Sequence, residues 1–272
     1  NENQLRDSAP EQPKEESDAE TVERMRQRFN ILTDMTKATK RGDVRAMIVS
    51  GPPGVGKSFG VEQVLDRYGV VSTLGNTRPK YEVVKGAMSS IGLYCKLYNF
   101  SDPDNVLVFD DCDSILLDDL SLNILKAALD SKKTRKICWN TDSHTLRREG
   151  VPDTFNFAGS VIFITNIKFD NVKSKKLRDH LEALESRCHY IDLTIDTIRE
   201  KILRIKQIVT DGMLKSYALP SETEQSIVDF IDDYKRQLRE ISLRTVLKIA
   251  DLAKAFPENW KDVAKQTVLK PV

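Results

Sequence analysis

The chain has only four cysteines, Cys95, Cys112, Cys138 and Cys188, and no two of them form a CxxC pair. That scarcity excludes a disulfide framework or a zinc site as the organising device and fits free thiols in a reducing compartment. Long apolar runs are missing too. The longest, such as Val106–Phe109 and Val161–Ile164, are strand-sized, far short of the roughly 20 residues a membrane-spanning helix needs. No basic-then-apolar leader opens the chain, so the expectation is a cytoplasmic protein with no membrane partner. The first residue is Asn1 rather than Met, which reads as a trimmed start. Neither sign of charge is in excess, because 42 Lys and Arg stand against 41 Asp and Glu, a net charge of +1. No global field therefore draws nucleic acid or anionic lipid, and any such partner has to meet a local patch.

What is present is enough for a core. The 272 residues are 40% apolar and 31% charged, which suits one large domain or a main domain with a satellite. Residues 1–20 carry almost no large apolar side chain and cannot offset their ordering entropy, so a disordered tail is expected there. From Thr21, Val22, Met25, Phe29, Leu32 and Met35 recur at three- and four-residue steps, a helical pattern. Strand-like runs follow at Arg45–Ser50, Tyr81–Val84, Val106–Phe109, Val161–Thr165 and Tyr190–Leu193, alternating with helical sequence at Lys57–Tyr68, Ser89–Tyr98, Ser121–Asp130 and Lys175–Arg187. Apolar strands alternating with amphipathic helices indicate an α/β fold, a parallel sheet sandwiched by helices. After about Ile195 only helical patterns remain, at Thr197–Tyr217, Ser221–Leu238, Ser242–Ala255 and Asn259–Val268. The expected division is an α/β domain over 21–194 and an all-helical lid over 195–272.

Gly51, Pro52, Pro53, Gly54, Val55, Gly56, Lys57 and Ser58 match GxxxxGK[ST] between a strand and a helix. Glycines there let backbone N–H groups curl around phosphate oxygens, and the following helix adds the positive end of its dipole. Lys57 is expected to reach the β- and γ-phosphates of ATP, and the Ser58 hydroxyl to ligand Mg²⁺. The run Val106–Phe109 ends in Asp110 and Asp111. Asp110 is the expected organiser of Mg²⁺, and Asp111 the group that orients or deprotonates the attacking water.

Three later residues narrow the class. Asn166 ends the Val161–Thr165 run, which is expected to lie beside the Asp110 strand; Arg187 lies in Ser186-Arg187-Cys188; Arg244 lies in the helical tail. In this order the chain resembles the AAA+ ATPases over roughly residues 25–260. The resemblance implies that Asn166 is the sensor-1 residue, Arg187 the arginine finger supplied to a neighbouring subunit, and Arg244 the sensor-2 arginine of the lid. It also implies an ATP hydrolase working as a ring or partial ring, poor as a monomer, with Arg178 a second finger candidate. Ser-Arg-Cys is also the finger motif of clamp loaders, and the compact chain resembles AAA+ proteins of tailed bacteriophages, which would act in the host cytoplasm. The family usually has Asp-Glu where this chain has Asp110-Asp111. The shorter side chain stands about 1.5 Å further back, so slow hydrolysis is expected.

Two segments are candidates for gripping a polymer. Lys85–Ser89 occupies the place of the family's pore loop, with Met88 as the soft apolar side chain and Tyr81 the nearest aromatic. Ser131–Arg148 carries Lys132, Lys133, Lys136, Arg135, Arg147 and Arg148 against Asp142 alone, with Trp139 and His144 interleaved. Basic charge beside an aromatic suits phosphate contact with base stacking. The expected function is therefore ATP-driven remodelling or translocation of a polymer, with DNA favoured. Protein unfolding is the alternative, and a nucleotide-gated binding module that hydrolyses little is a further one. A plain connection for the first segment and a solvated loop with a buried Trp anchor for the second are the competing structural readings.

Overall fold

The computed structural model describes residues 15–75 and 80–271. Its first helix, α1 (Asp18–Lys40), opens on a capping box in which Ser17 and Glu20 satisfy each other's backbone N–H groups. Helix therefore begins inside the span expected to be a tail, and residues 1–14 lie outside the described residues. The order then runs β1 (Ala46–Ser50), α2 (Lys57–Leu74), β2 (Tyr81–Lys85), α3 (Ser90–Asn99), β3 (Val106–Asp110), α4 (Asp113–Leu116) and α5 (Asp119–Ala128). Next come β4 (Lys136–Cys138), α6 (His144–Glu149), β5 (Thr154–Asn156), β6 (Ser160–Thr165), α7 (Lys175–Glu185) and β7 (His189–Asp192). The chain closes with α8 (Ile198–Thr210), α9 (Ser221–Asp233), α10 (Leu243–Ala255) and α11 (Trp260–Val268).

Five strands form one parallel sheet in the order β2-β3-β6-β1-β7. The three central strands are buried along their whole length, which is why they read as unbroken apolar runs. Their side chains alternate between the two faces. Met47, Val49, Val106, Val108, Ile162 and Ile164 pack with Met25 and Leu32 of α1 and Val61 and Leu65 of α2. Ala46, Ile48, Leu107, Phe109, Val161 and Phe163 pack with α3, α5 and α7 through Leu93, Leu97, Leu125, Leu181 and Leu184. Each such fully buried side chain contributes about 1.5–3 kcal/mol. The fold is thus the α/β class expected, a helix-covered parallel sheet followed by helices.

Two expectations need correction. Thr197–Tyr217 is not one helix: α8 ends where Gly212, at φ +100°, turns the chain, a conformation only glycine adopts without strain. A short 3₁₀ turn at Lys215–Tyr217 follows. Ser131–Arg148 is not a free loop either, since β4 pairs antiparallel with β5 through Ile137 and Phe155, with α6 between them.

The last four helices share an apolar cluster of their own, including Ile202, Ile205, Phe230, Ile231, Val246 and Trp260. Helix α1 reaches them as well, through the Arg24 ion pair with Glu200. Among the described residues no helix is long and apolar enough to cross a membrane.

Candidate active site

Because the strands are parallel, β1, β3 and β6 deliver their following residues to one edge of the sheet. β6 lies between β1 and β3, which puts Ser50 opposite Thr165 and Asp110 opposite Ile164. The glycine-rich turn after Ser50 needs its glycines. Gly54 sits at φ +73° and Gly56 at φ +102°, and a Cβ on Gly54 would stand 2.5 Å from the Ser242 side chain. That close approach is the start of α10 meeting the loop: the Leu243 N–H donates to the Gly54 carbonyl at 2.9 Å.

Lys57 is 5% exposed. Its ammonium donates to the Gly51 and Pro52 carbonyls and to Asn166 Oδ1, each at 2.7 Å. Burial, more than the neighbouring charges, lowers its pKa to about 8, with Arg244 adding repulsion against the attraction of Asp111, Asp110 and Asp113. The Asn166 amide then donates to Asp111 Oδ1 at 3.3 Å. Asp111 is held at φ +54°, a left-handed conformation that Asp tolerates better than most residues. Burial, with Asp110 and Asp113 close by, pushes its carboxyl above the usual range. Asp110 is 3% exposed and lies 3.6 Å from the Lys85 ammonium.

Gly54, Gly56, Lys57, Ser58, Asp110, Asp111, Asn166 and Arg244 all line one cavity of about 660 Å³ between the loop and the C-terminal helices. Val55 instead points into the core at 5% exposure. Arg187 is elsewhere. It is exposed, donates to the Ala183 carbonyl, and borders a separate cleft with Arg45 and His189. Both Arg45 and His189 stand at the beginnings of parallel strands, so Arg187 lies at the opposite edge of the sheet from the cavity.

The segments expected to grip a polymer are largely engaged within the fold. Lys85 turns back to Glu62 and Asp110. The Met88 N–H donates to Ser114 Oγ, and the Met88 side chain packs on the core. Tyr81 sits at the start of β2, far from the loop, and its hydroxyl donates to Asp66. Arg135 is 7% exposed and donates to the Ala128 and Gly159 carbonyls beneath the Phe157 ring. Arg147 and Arg148 pair with Asp142 and Glu149. Trp139 packs edge-on against Tyr94. Lys132, Lys133 and Lys136 remain exposed.

No family model matches the chain. A curated relative does: the "Uncharacterized 36.7 kDa protein in nrdC-mobD intergenic region" of Enterobacteria phage T4 is 34% identical over 244 residues, 89% of this chain and 73% of the relative. The chain belongs to the family of that T4 protein. Solved structures with similar folds include the replication initiator DnaA bound to AMPPCP and single-stranded DNA (12% identity, TM-score 0.47, 87% of this chain and 63% of that chain). Cdc6p from Pyrobaculum aerophilum gives 13%, 0.49, 97% and 71%, and the S. cerevisiae Hsp104–casein complex gives 16%, 0.47, 90% and 40%. All these TM-scores lie below 0.5, so these likenesses bear on no ligand or substrate.

In this member of the T4 family the cavity also recruits residues with no motif to announce them. Phe59, Arg204, Met213 and Leu247 line it, and Asp113 accepts from the Thr165 hydroxyl at 2.9 Å. Phe59, a large apolar residue directly after the loop, is 70% exposed.

Proposed function

We propose that the chain is an ATP-binding and ATP-hydrolysing subunit of the AAA+ type, working in a ring or partial ring to remodel or move a polymer. The observation that carries this reading is a separation. Lys57, Asn166, Asp111 and Arg244 meet around one cavity, while Arg187 stands across the sheet, about 16 Å away along five-residue strands. One subunit cannot bring both groups to one phosphate.

In this reading Lys57 exchanges the Gly51 and Pro52 carbonyls for the β- and γ-phosphate oxygens of ATP. Ser58 and Asp110 supply hard oxygen donors at the same cavity and suit Mg²⁺, which when bound neutralises phosphate charge. Asn166 and Asp111, already hydrogen-bonded, hold the attacking water, and the raised Asp111 carboxyl favours its accepting a proton. Arg244 meets the γ-phosphate from the lid. Arg187 enters the neighbouring subunit's cavity, where such an arginine is worth about 10³–10⁵ in rate.

The test is turnover at rising protein concentration. Arg187→Ala should bind ATP normally and lose at least about 10³ in rate. Mixing it with Asp111→Ala protein should restore part of the activity through hybrid interfaces. Normal hydrolysis by Arg187→Ala alone rejects the reading.

DNA is the favoured polymer, on the exposed Lys132, Lys133 and Lys136. Stimulation by unfolded protein and not by single-stranded DNA reassigns the chain to protein remodelling. A host-cytoplasmic setting goes with the phage relative. The short Asp111, tied to Asn166 in a left-handed conformation, favours a second reading, a nucleotide-gated binding module with slow hydrolysis. Near-background turnover with tight ATP binding at every concentration selects that reading, and rapid cooperative turnover rejects it.

A further inference from the structure

Arg204 is the buried charge that the roles above leave unused. It sits on α8, 7% exposed, and lines the same cavity. Its guanidinium carbon sits over the Phe29 ring of α1, 3.5 Å from the centroid. One nitrogen, Nη1, donates to the Gln207 carboxamide at 2.9 Å. Among the described residues Nε has no hydrogen-bond partner. Nη2 would stand 3.6 Å from a Cβ on Gly56, so the guanidinium abuts the phosphate loop directly.

A guanidinium out of water, matched by one neutral amide and an aromatic face, is short of negative charge. Burial lowers its pKa to about 10, and the acid acting on it is Asp211, through space. Arg244, by contrast, acts on Lys57 and Asp111. Both arginines line the one cavity, with Arg204 set against its Gly56 wall.

Resting on the nucleotide reading of this cavity, we propose that Arg204 is a nucleotide-binding residue whose charge is matched by phosphate oxygens common to ATP and ADP. It grips the nucleotide from α8 while Arg244 reads the γ-phosphate from α10. The stacking on Phe29 also joins α1 to the bound nucleotide, so three elements (α1, the loop and α8) close on it together.

The experiment compares the full chain with R204M, R204K and R244M, titrated with Mg-ATP and Mg-ADP by calorimetry and by thermal melting. R204M should bind both nucleotides about 10- to 100-fold more weakly, the range for a hydrogen bond to a charged group. R204K, which keeps the charge, should recover part of that loss, and R244M should weaken ATP more than ADP. Without nucleotide, R204M should melt at or above the wild-type temperature, because an ill-matched buried charge has been replaced by an apolar stem. Its nucleotide-induced rise should shrink. Wild-type affinity of R204M for both nucleotides overturns the proposal, as does a lower melting temperature without nucleotide coupled to an undiminished rise, which marks Arg204 as packing only. A loss confined to ATP overturns the assignment to shared phosphates. If wild-type protein binds neither nucleotide, the reading of the cavity fails and this proposal fails with it.

Discussion

The edge of the sheet at Gly51–Ser58 and the segment from Ser131 to Asn156 both stood out in the sequence, and they met opposite fates in the fold. At the first, Lys57 and Asp110 are withdrawn from water yet line a cavity together with the exposed Asn166. At the second, the most deeply placed charge, Arg135, turns inward to the Ala128 and Gly159 carbonyls and the Phe157 ring. At the first the buried groups, though hydrogen-bonded, border open space that a ligand can enter, whereas at the second the buried charge is enclosed by carbonyls and a ring and holds the β4–β5 pair to the core. A count of charges cannot separate the two cases. The open space beside each charge does.

Removing the central cation of the first region should have the largest effect. Lys57→Ala deletes the group that organises the loop carbonyls and, in the proposed reading, meets the phosphates, and nucleotide binding measured by calorimetry should fall below detection. The Arg187→Ala loss of turnover comes next in size and leaves binding alone. If Lys57→Ala binds ATP normally, the cavity is not the phosphate site, and the contrast with the second region disappears.

In the second region the same kind of change should register as stability. Arg135→Met leaves two carbonyls without their donor and removes the cation over Phe157. A cost of about 2–4 kcal/mol is expected, from the unsatisfied acceptors and the lost charged hydrogen bonds. Lys132→Ala and Lys133→Ala, at exposed positions, should stay within about 0.5 kcal/mol. Chemical denaturation reads both. Equal small effects from all three would mean that Arg135 is as free as the lysines.

How far each region was legible follows from the range of the interactions that build it. The glycine-rich loop is local: glycine positions, a lysine and a hydroxyl within eight residues fix its geometry, and the sequence displays them all. Asn166 was reachable through the order of the strands, because a polar residue ending a buried strand next to the Asp110 strand has one place to go. The helix start at Asp18 was also on display, in Ser17 and Glu20 three residues apart, but the polar composition of residues 1–20 obscured it. β4 and β5 were not legible, since each has three residues and their pairing spans the intervening helix. Arg204 was the least legible of all. Its burial depends on Phe29 from α1 and on the loop at Gly56, groups more than 140 positions away.

A small net effect is also expected at Trp139, where the two explanations for an aromatic among basic residues diverge. Its indole Nε1 is buried and, among the described residues, has no hydrogen-bond partner, while its ring meets Tyr94 edge-on at 5.5 Å between centroids. Trp139→Phe removes a buried donor that costs about 1–3 kcal/mol when unmet. It also leaves a smaller ring and a partial void, which costs a similar amount in the other direction. The edge-on contact with Tyr94 can persist with phenylalanine. The terms oppose, so the stability measured by denaturation should move by less than about 1 kcal/mol, and any affinity for single-stranded DNA should not change. A base-stacking platform behaves differently, because the loss of its stacking surface weakens DNA binding without touching stability. A clear fall in DNA affinity with unchanged denaturation would return Trp139 to the polymer-binding surface and make the second region a binding site in its own right.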